Sequence, residues 1–427
     1  MQNRRRFSAW LFTGSMLGYV VWLMLPAVQV HCKAVTGVLM LVIFAAGVLL
    51  DTETLKAHWR EFALRAACAA AIPPVLLLLL NRGGTEPLGY LAQQAMFWYP
   101  LLWCALAARY TGETARKLVL FTMLAAFAVT TLTTIGWLVE GVFREEGKIY
   151  AYARSLGSGE ANRQAYLNEL MGRNIGGYGF VYASVFALPL TFHLAGGKGW
   201  KRVVFTALAG LQLVMIVLSQ YTYAMVFAAA ITGVEAFGLL FRKIFRKLSL
   251  GMSLLCAVPL ITALFFLRVP LVTGLSGLAQ ALHFDNLALS LSQLRDLLTG
   301  GAVAEGSRLE AYATSYHSFL ASPWVGGIFS GQARLGMHAE TLDLLAGLGI
   351  LGTAGFLGLI YGAGHGVGRE IWHSKITAHL LVQWAAFLAF ATLDTVFYAR
   401  EISLVLCLSI VFAVWTDHKK QGIMEPV

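Results

Sequence analysis

Charge is what this chain has least of. Only 13% of its 427 residues are charged, against 58% hydrophobic residues and a mean hydropathy of +0.68. A soluble globule needs more charge than this to wet its surface, so the chain must use lipid as its solvent. Cysteine gives no framework either. Cys32, Cys68, Cys104, Cys256 and Cys407 are odd in number, have no C-x-x-C spacing and lie mostly inside apolar runs, so they read as small core residues. His31, His58, His193, His283 and His317 are not spaced as metal ligands, and no metal site is expected. There is no long-period repeat and no low-complexity segment. The net charge of +10 does not gather into one basic patch, which argues against nucleic acid as a partner.

Present instead are apolar runs of helical length, with the basic residues clustered between them. The runs predict an all-α polytopic membrane protein with about twelve spans of roughly 20 residues. They cover residues 8–28, 34–50, 62–80, 91–110, 119–138, 176–194, 203–218, 223–241, 248–266, 341–361, 376–393 and 399–415, in one membrane domain over 1–427. Arg4-Arg5-Arg6 ahead of the first run mimics a secretory signal, but the many spans that follow favour an uncleaved first helix. The clusters Arg4-Arg5-Arg6, Arg116-Lys117, Lys201-Arg202, Arg242-Lys243 and Lys419-Lys420 fall on one side. The short opposite loops carry few cations, Lys33, Arg82 and Arg400. Both termini are therefore expected in the cytoplasm.

Two long segments, 140–175 and 268–340, are then expected on the outer side. Segments of that length are commonly functional. In the second, Ser307-Arg308-Leu309-Glu310 reads as a capping box that opens a helix. Leu309, Tyr312, Tyr316, Phe319 and Leu320 recur at helical spacing until Pro323 stops the run. This amphipathic helix is expected on the outer membrane surface or against the bundle.

Directly afterwards, His338 stands at the mouth of the apolar, glycine-dotted run 341–361. An imidazole, with an ordinary pKa of about 6.5, accepts a proton near neutral pH, which suits this position to proton transfer. The helix N-terminus beside it disfavours an imidazolium and favours a nearby anion. Arginine suits an anion through bidentate, permanently charged hydrogen bonds. Arg308 is the first candidate for that role. Arg154, Arg163 and Arg173 in the first long segment follow it, although Glu145, Glu146, Glu160 and Glu169 make that segment equally readable as a solvated, mixed-charge surface.

The order of landmarks is Gly306-Ser307-Arg308, then Pro323-Trp324-Val325-Gly326-Gly327, then His338 with Leu345 and Gly347-Leu348-Gly349. This order resembles the O-antigen ligase and polymerase superfamily at motif level over the last third of the chain, and in span count and loop placement over the whole. The resemblance implies a GT-C-like fold and inverting glycosyl transfer on the periplasmic face of a bacterial inner membrane. It implies undecaprenyl-pyrophosphate-linked O-antigen as donor and a sugar hydroxyl of lipid A–core as acceptor. It also implies His338 as general base, arginines on the pyrophosphate, and neither metal nor nucleotide nor other cofactor. Two positions depart from the pattern. Ala339 follows the histidine where asparagine or serine is usual. Gln220 and Tyr221 follow Ser219 where many relatives carry an arginine, and they stand as supporting candidates there, with Glu340.

Plainer readings compete at each position. His338 would then only cap a helix, Arg308 would be an exposed first-turn residue, and Glu340 and Asp343 would complement a positive helix end. Gly347, Gly349 and Gly352 would permit close helix packing. Trp10, Trp22, Trp98, Trp137 and Tyr110 read as interfacial aromatics. Among functions, an O-antigen polymerase or a protein O-oligosaccharyltransferase would share the donor. A transporter would instead keep ionisable groups near the membrane midplane.

Overall fold

A computed structural model describes residues 2–80, 87–144, 166, 168–244, 269–270, 272–281, 285–299, 308–328, 334–365 and 376–421. The regular structure among these residues is helical. Pro26 sets the first boundary: lacking an N–H, it suits the first turn of α2 (Pro26–Leu50), just after α1 (Gln2–Met24). The short α3 (Thr52–Ala57) is capped by Asp51, whose carboxylate accepts from the Thr54 backbone N–H at 3.1 Å. Next come α4 (Trp59–Leu80), α5 (Pro87–Tyr110), α6 (Glu113–Arg144), α7 (Tyr178–Ala195), α8 (Trp200–Ser219) and α9 (Thr222–Ile244). The rest are α10 (Asp285–Leu298), α11 (Arg308–Ala321), α12 (Glu340–Ala363), α13 (Thr377–Ala391) and α14 (Arg400–Gln421).

The chain is a multi-pass membrane protein. Among the described residues six helices are long and apolar enough to cross a bilayer: Asn3–Met24, Trp59–Leu79, Glu113–Gly141, Tyr178–Ala195, Trp200–Ser219 and Glu340–Ala363. A seventh arises if Pro26–Cys32 and Val35–Leu50, bent by 90° within α2, count as one span. Thr222–Gly238 and Thr377–Ala391 are apolar but shorter. The expected span at 248–266 lies outside the described residues.

The bundle is held by aromatic packing and by side chains that bond to the backbone of neighbouring helices. Phe12 stacks on Trp103 and Tyr110, and Trp103 Nε1 donates to the Phe12 carbonyl at 3.0 Å. Ser8 Oγ donates to the Gly47 carbonyl at 2.6 Å, and a Cβ on Gly47 would lie 2.9 Å from the Phe12 nitrogen. Small residues at such crossings bring backbones close, which is how helices associate in lipid. At the end that carries the start of α1, Glu61 holds both Arg65 and Arg109, the latter at 2.6 Å. At the opposite end, called here the far end, Arg400 opens α14 over the Trp22 ring at 5.0 Å. Helix α14 thus runs back toward the end where α1 begins.

The feature that shapes the far end is a break in α12. Gly349 has φ 65° and ψ −175°, outside any helix. Unwinding a turn in hydrocarbon strands backbone groups that water cannot satisfy. Residues 323–328 satisfy them here. The N–H groups of Gly327 and Ile328 donate to the Ala346 and Gly347 carbonyls at 3.0 and 3.1 Å. Those of Ile350 and Leu351 donate to the Pro323 and Trp324 carbonyls at 2.8 and 3.0 Å. Gly326, also at positive φ (72°), crosses at the same point. The close-packing reading of these glycines holds for Gly347, which faces Leu79 of α4 with no room for a Cβ. It does not describe Gly349, whose backbone only glycine adopts freely.

A Cβ on Gly349 would also fall 2.5 Å from the Gly326 nitrogen and the Trp324 carbonyl. Gly349→Ala is therefore expected to lower stability by about 2 kcal/mol or more, from strain plus overlap. Gly355→Ala, with nothing within 4 Å of the added carbon, is expected to gain about 0.5–1 kcal/mol. Thermal unfolding of the two variants in detergent checks this, and equal melting temperatures would refute it.

Candidate functional site

Three pieces of chain meet at the far end: α11, the first half of α12, and the buried turn between α13 and α14. Helix α11 begins at Arg308, where the capping-box reading put it, and ends at Ala321 just before Pro323. Its inward side is polar at one point. Buried Ser315 donates from Oγ to Asp343 Oδ1 at 2.5 Å and accepts the Gly336 N–H at 2.8 Å. One turn earlier, Tyr312 OH donates to the Leu393 carbonyl at 2.5 Å and lies 3.4 Å from Tyr223 OH. One turn later, Ser318 Oγ donates to the Arg334 carbonyl at 2.7 Å and accepts the Arg334 N–H at 3.1 Å. The helix is thus sewn to the last part of the return segment, to α12 itself and to the α13–α14 turn.

Glu340 opens α12 with its side chain buried at 1% exposure. Its Oε2 accepts from the backbone N–H groups of Val396 and Phe397, the second at 3.3 Å. Its own N–H points at the Asp394 carbonyl at 3.5 Å. Phe397 passes the connection on, since its carbonyl accepts from Gln94 of α5 at 3.2 Å. Glu340 therefore ties the mouth of α12 to the α13–α14 turn. Oε1 of Glu340 and Oδ2 of Asp343 have no hydrogen-bond partner among the described residues.

His338 lies between these buried groups and solvent. It is exposed, in a bend two residues ahead of the α12 N-terminus. Met337 before it takes a positive φ of 60° and Ala339 after it is extended, at φ −145° and ψ 98°. This backbone turns the imidazole outward while its neighbours pack inward.

The other expected residues divide clearly. Gln220 is buried in left-handed conformation (φ 51°) and ends α8, its N–H donating to the Val217 carbonyl at 3.2 Å. Tyr221 packs its ring 5.8 Å from Tyr178 and 5.9 Å from Tyr182. Both sit on the turn that leads to Tyr223, so the Tyr223–Tyr312 contact joins this turn to α11. Arg173 is exposed and ion-paired with Glu169 at 2.7 Å. The next residue, Asn174, anchors that stretch elsewhere, donating to Thr130 Oγ1 at 3.0 Å. Arg173 thus belongs to a surface beside α6. Arg154 and Arg163 lie outside the described residues. His317 is exposed on the outward side of α11.

Ser315 and Tyr223 were not singled out from the sequence. Ser315 carries no pattern of its own, being one small polar residue inside an apolar stripe. A scan of protein-family models and a search among curated proteins each find no match to this chain.

The Ser315–Asp343 contact joins α11 to α12 and is buried, so it should appear as a coupling energy. In a double-mutant cycle of Ser315→Ala with Asp343→Asn, the interaction is expected at about 1–2 kcal/mol. Chemical denaturation of the four proteins in mixed micelles measures it. Simple additivity would mean that this contact does not fasten α11.

Proposed function

We propose that the chain is an inverting, metal-independent glycosyltransferase of the bacterial inner membrane that ligates O-antigen from undecaprenyl pyrophosphate onto lipid A–core. In this reading the bundle has about twelve spans with both termini cytoplasmic, and the far end faces the periplasm. The observation that carries it is the setting of His338: an exposed imidazole two residues ahead of a half-helix N-terminus, in a return segment that Ser315 of α11 fastens at Gly336 and Asp343.

The chemistry follows from those positions. The acceptor hydroxyl gives its proton to His338 as its oxygen attacks the anomeric carbon from the face opposite the pyrophosphate. The bond from the anomeric carbon to the pyrophosphate oxygen breaks, inverting the centre, and undecaprenyl pyrophosphate leaves with the bonding pair. Arg308 holds the charge that develops on the departing oxygens. The α12 N-terminus favours that same charge. Asp343 and Ser315 act as positioning residues, fixing the return segment that carries His338. Glu340 anchors the half-helix, and Gln220 and Tyr221 support it from the α8–α9 turn.

The distribution of ionisable groups favours this over transport. Those toward the other end are locally paired, Glu61 with Arg65 and Arg109, and Glu235 with His379 at 2.9 Å. They do not continue the far-end group through the bundle among the described residues, whereas a transport path needs ionisable groups near the midplane.

Purified wild-type and His338→Ala protein, given lipid-linked O-antigen and lipid A–core without metal or nucleotide, test the proposal. Wild type should yield high-molecular-weight lipopolysaccharide, and His338→Ala should be slower by about 10²–10⁴-fold. Arg308→Ala should be slow as well, with Arg308→Lys restoring only part of the rate because the bidentate geometry is lost. Full ligation by His338→Ala would remove that residue from the mechanism. Elongation of the lipid-linked chain by wild type, without transfer to lipid A–core, would make the protein a polymerase.

A further inference from the structure

The face of α11 turned away from the bundle has no role in the site. Its exposed positions are Glu310, Ala313, Tyr316, His317, Leu320 and Ala321, at helical spacing, and the pattern continues into the turn as Trp324 and Val325. The polar members come early and the large apolar ones late. Tyr316 is 49% exposed, Leu320 53%, Trp324 63% and Val325 59%. On a water-facing loop this is an apolar stripe that no other part of the described residues covers.

The height of this stripe in the bundle identifies the partner. Val325 lines an apolar groove of about 520 Å³ together with Val75 of α4 and Leu348, Leu351, Phe356 and Leu359 of α12. Helices α4 and α12 run antiparallel, since Gly347 faces Leu79 while Gly362 faces Cys68. Val75 is five residues below the end of α4, or about 7 Å. The groove therefore belongs to the part of both helices that crosses the membrane, and Val325 closes its far-end mouth. Leu78 and Leu351, exposed on the same two helices, continue the apolar surface past the turn.

We propose that the outward face of α11 and the turn at 322–328 form a lipid-docking surface. Leu320, Trp324 and Val325 sit in the acyl region of the far-end leaflet, and Glu310 and His317 sit toward its headgroups. The surface is continuous with the lipid-facing sides of α4 and α12. Because α11 runs alongside the first half of α12, its polar early positions meet the headgroup level and its apolar late positions enter the leaflet. The opposite face of α11 holds Asp343 through Ser315 and the Leu393 carbonyl through Tyr312. The leaflet would thus set the height at which Arg308 and His338 stand above the bilayer. The docking itself does not depend on which reaction the site performs.

Site-directed spin labelling in nanodiscs of phosphatidylethanolamine and phosphatidylglycerol tests it. Leu320→Cys, Val325→Cys and Arg334→Cys are made in the full chain with its five cysteines replaced. Labels at 320 and 325 should collide with oxygen several-fold more often than with a water-soluble nickel chelate, and the label at 334 should show the reverse preference. Nickel accessibility at 320 and 325 equal to that at 334 would overturn the proposal. A second measurement leaves the cysteines in place. Lipids brominated high on the acyl chain should quench wild-type tryptophan fluorescence more than that of Trp324→Phe. Unchanged quenching would count against the docking surface in the same way.

Discussion

A peptide group without a partner in hydrocarbon costs several kcal/mol, and much at the far end follows from how this chain avoids that cost at one place. Helix α12 comes apart at Gly349. The groups it frees at Ala346, Gly347, Ile350 and Leu351 are taken up by residues 323–328. Two glycines at positive φ, Gly326 and Gly349, let the strands cross at backbone distance. A side chain at either would drive them apart.

From that crossing, α11 is carried back along the first half of α12. Ser315 meets Asp343, Ser318 meets Arg334, and Tyr312 reaches the carbonyl of Leu393. Glu340 adds the turn before α14 by accepting from Val396 and Phe397. Buried polar groups in lipid hold position only when partnered, and here most of them spend their hydrogen bonds on segments far away in sequence. The result is a stiff frame around an exposed imidazole. That division suits the proposed chemistry, in which His338 must reach an acceptor arriving from solvent while its backbone stays fixed.

Much of this frame was legible in the sequence. Low charge and long apolar runs specify a multi-pass helical membrane protein, the Ser307–Glu310 box marks a helix start, and Pro323 marks a helix end, whereas the expected first span over 8–28 runs across the break that Pro26 makes. His338 stood out because an imidazole at the mouth of an apolar run is placed for proton transfer near neutral pH. What the sequence did not disclose depends on pairings across distance. Gly349 reads as a small residue for packing, and its real duty appears only when Gly326 arrives 23 residues away in sequence. The stripe Leu309, Tyr312, Tyr316, Phe319 and Leu320 reads as one apolar face, yet Tyr312 turns inward beside Ser315 while Tyr316 and Leu320 remain exposed. Glu340 reads as a complement to the helix dipole, but its carboxylate serves backbone groups 56 and 57 positions on. The span count was less secure, since α2 bends and α9 and α13 are short.

The central claim is that the half-helix mouth at His338 and the first turn of α11 together receive a lipid-linked pyrophosphate. The most direct test is a cryo-EM map of the full chain in nanodiscs loaded with undecaprenyl pyrophosphate. The account predicts diphosphate density between Arg308 and His338, with the polyprenyl chain descending into the membrane. Diphosphate density at the Arg173–Glu169 surface, or at the end where α1 begins, would contradict it.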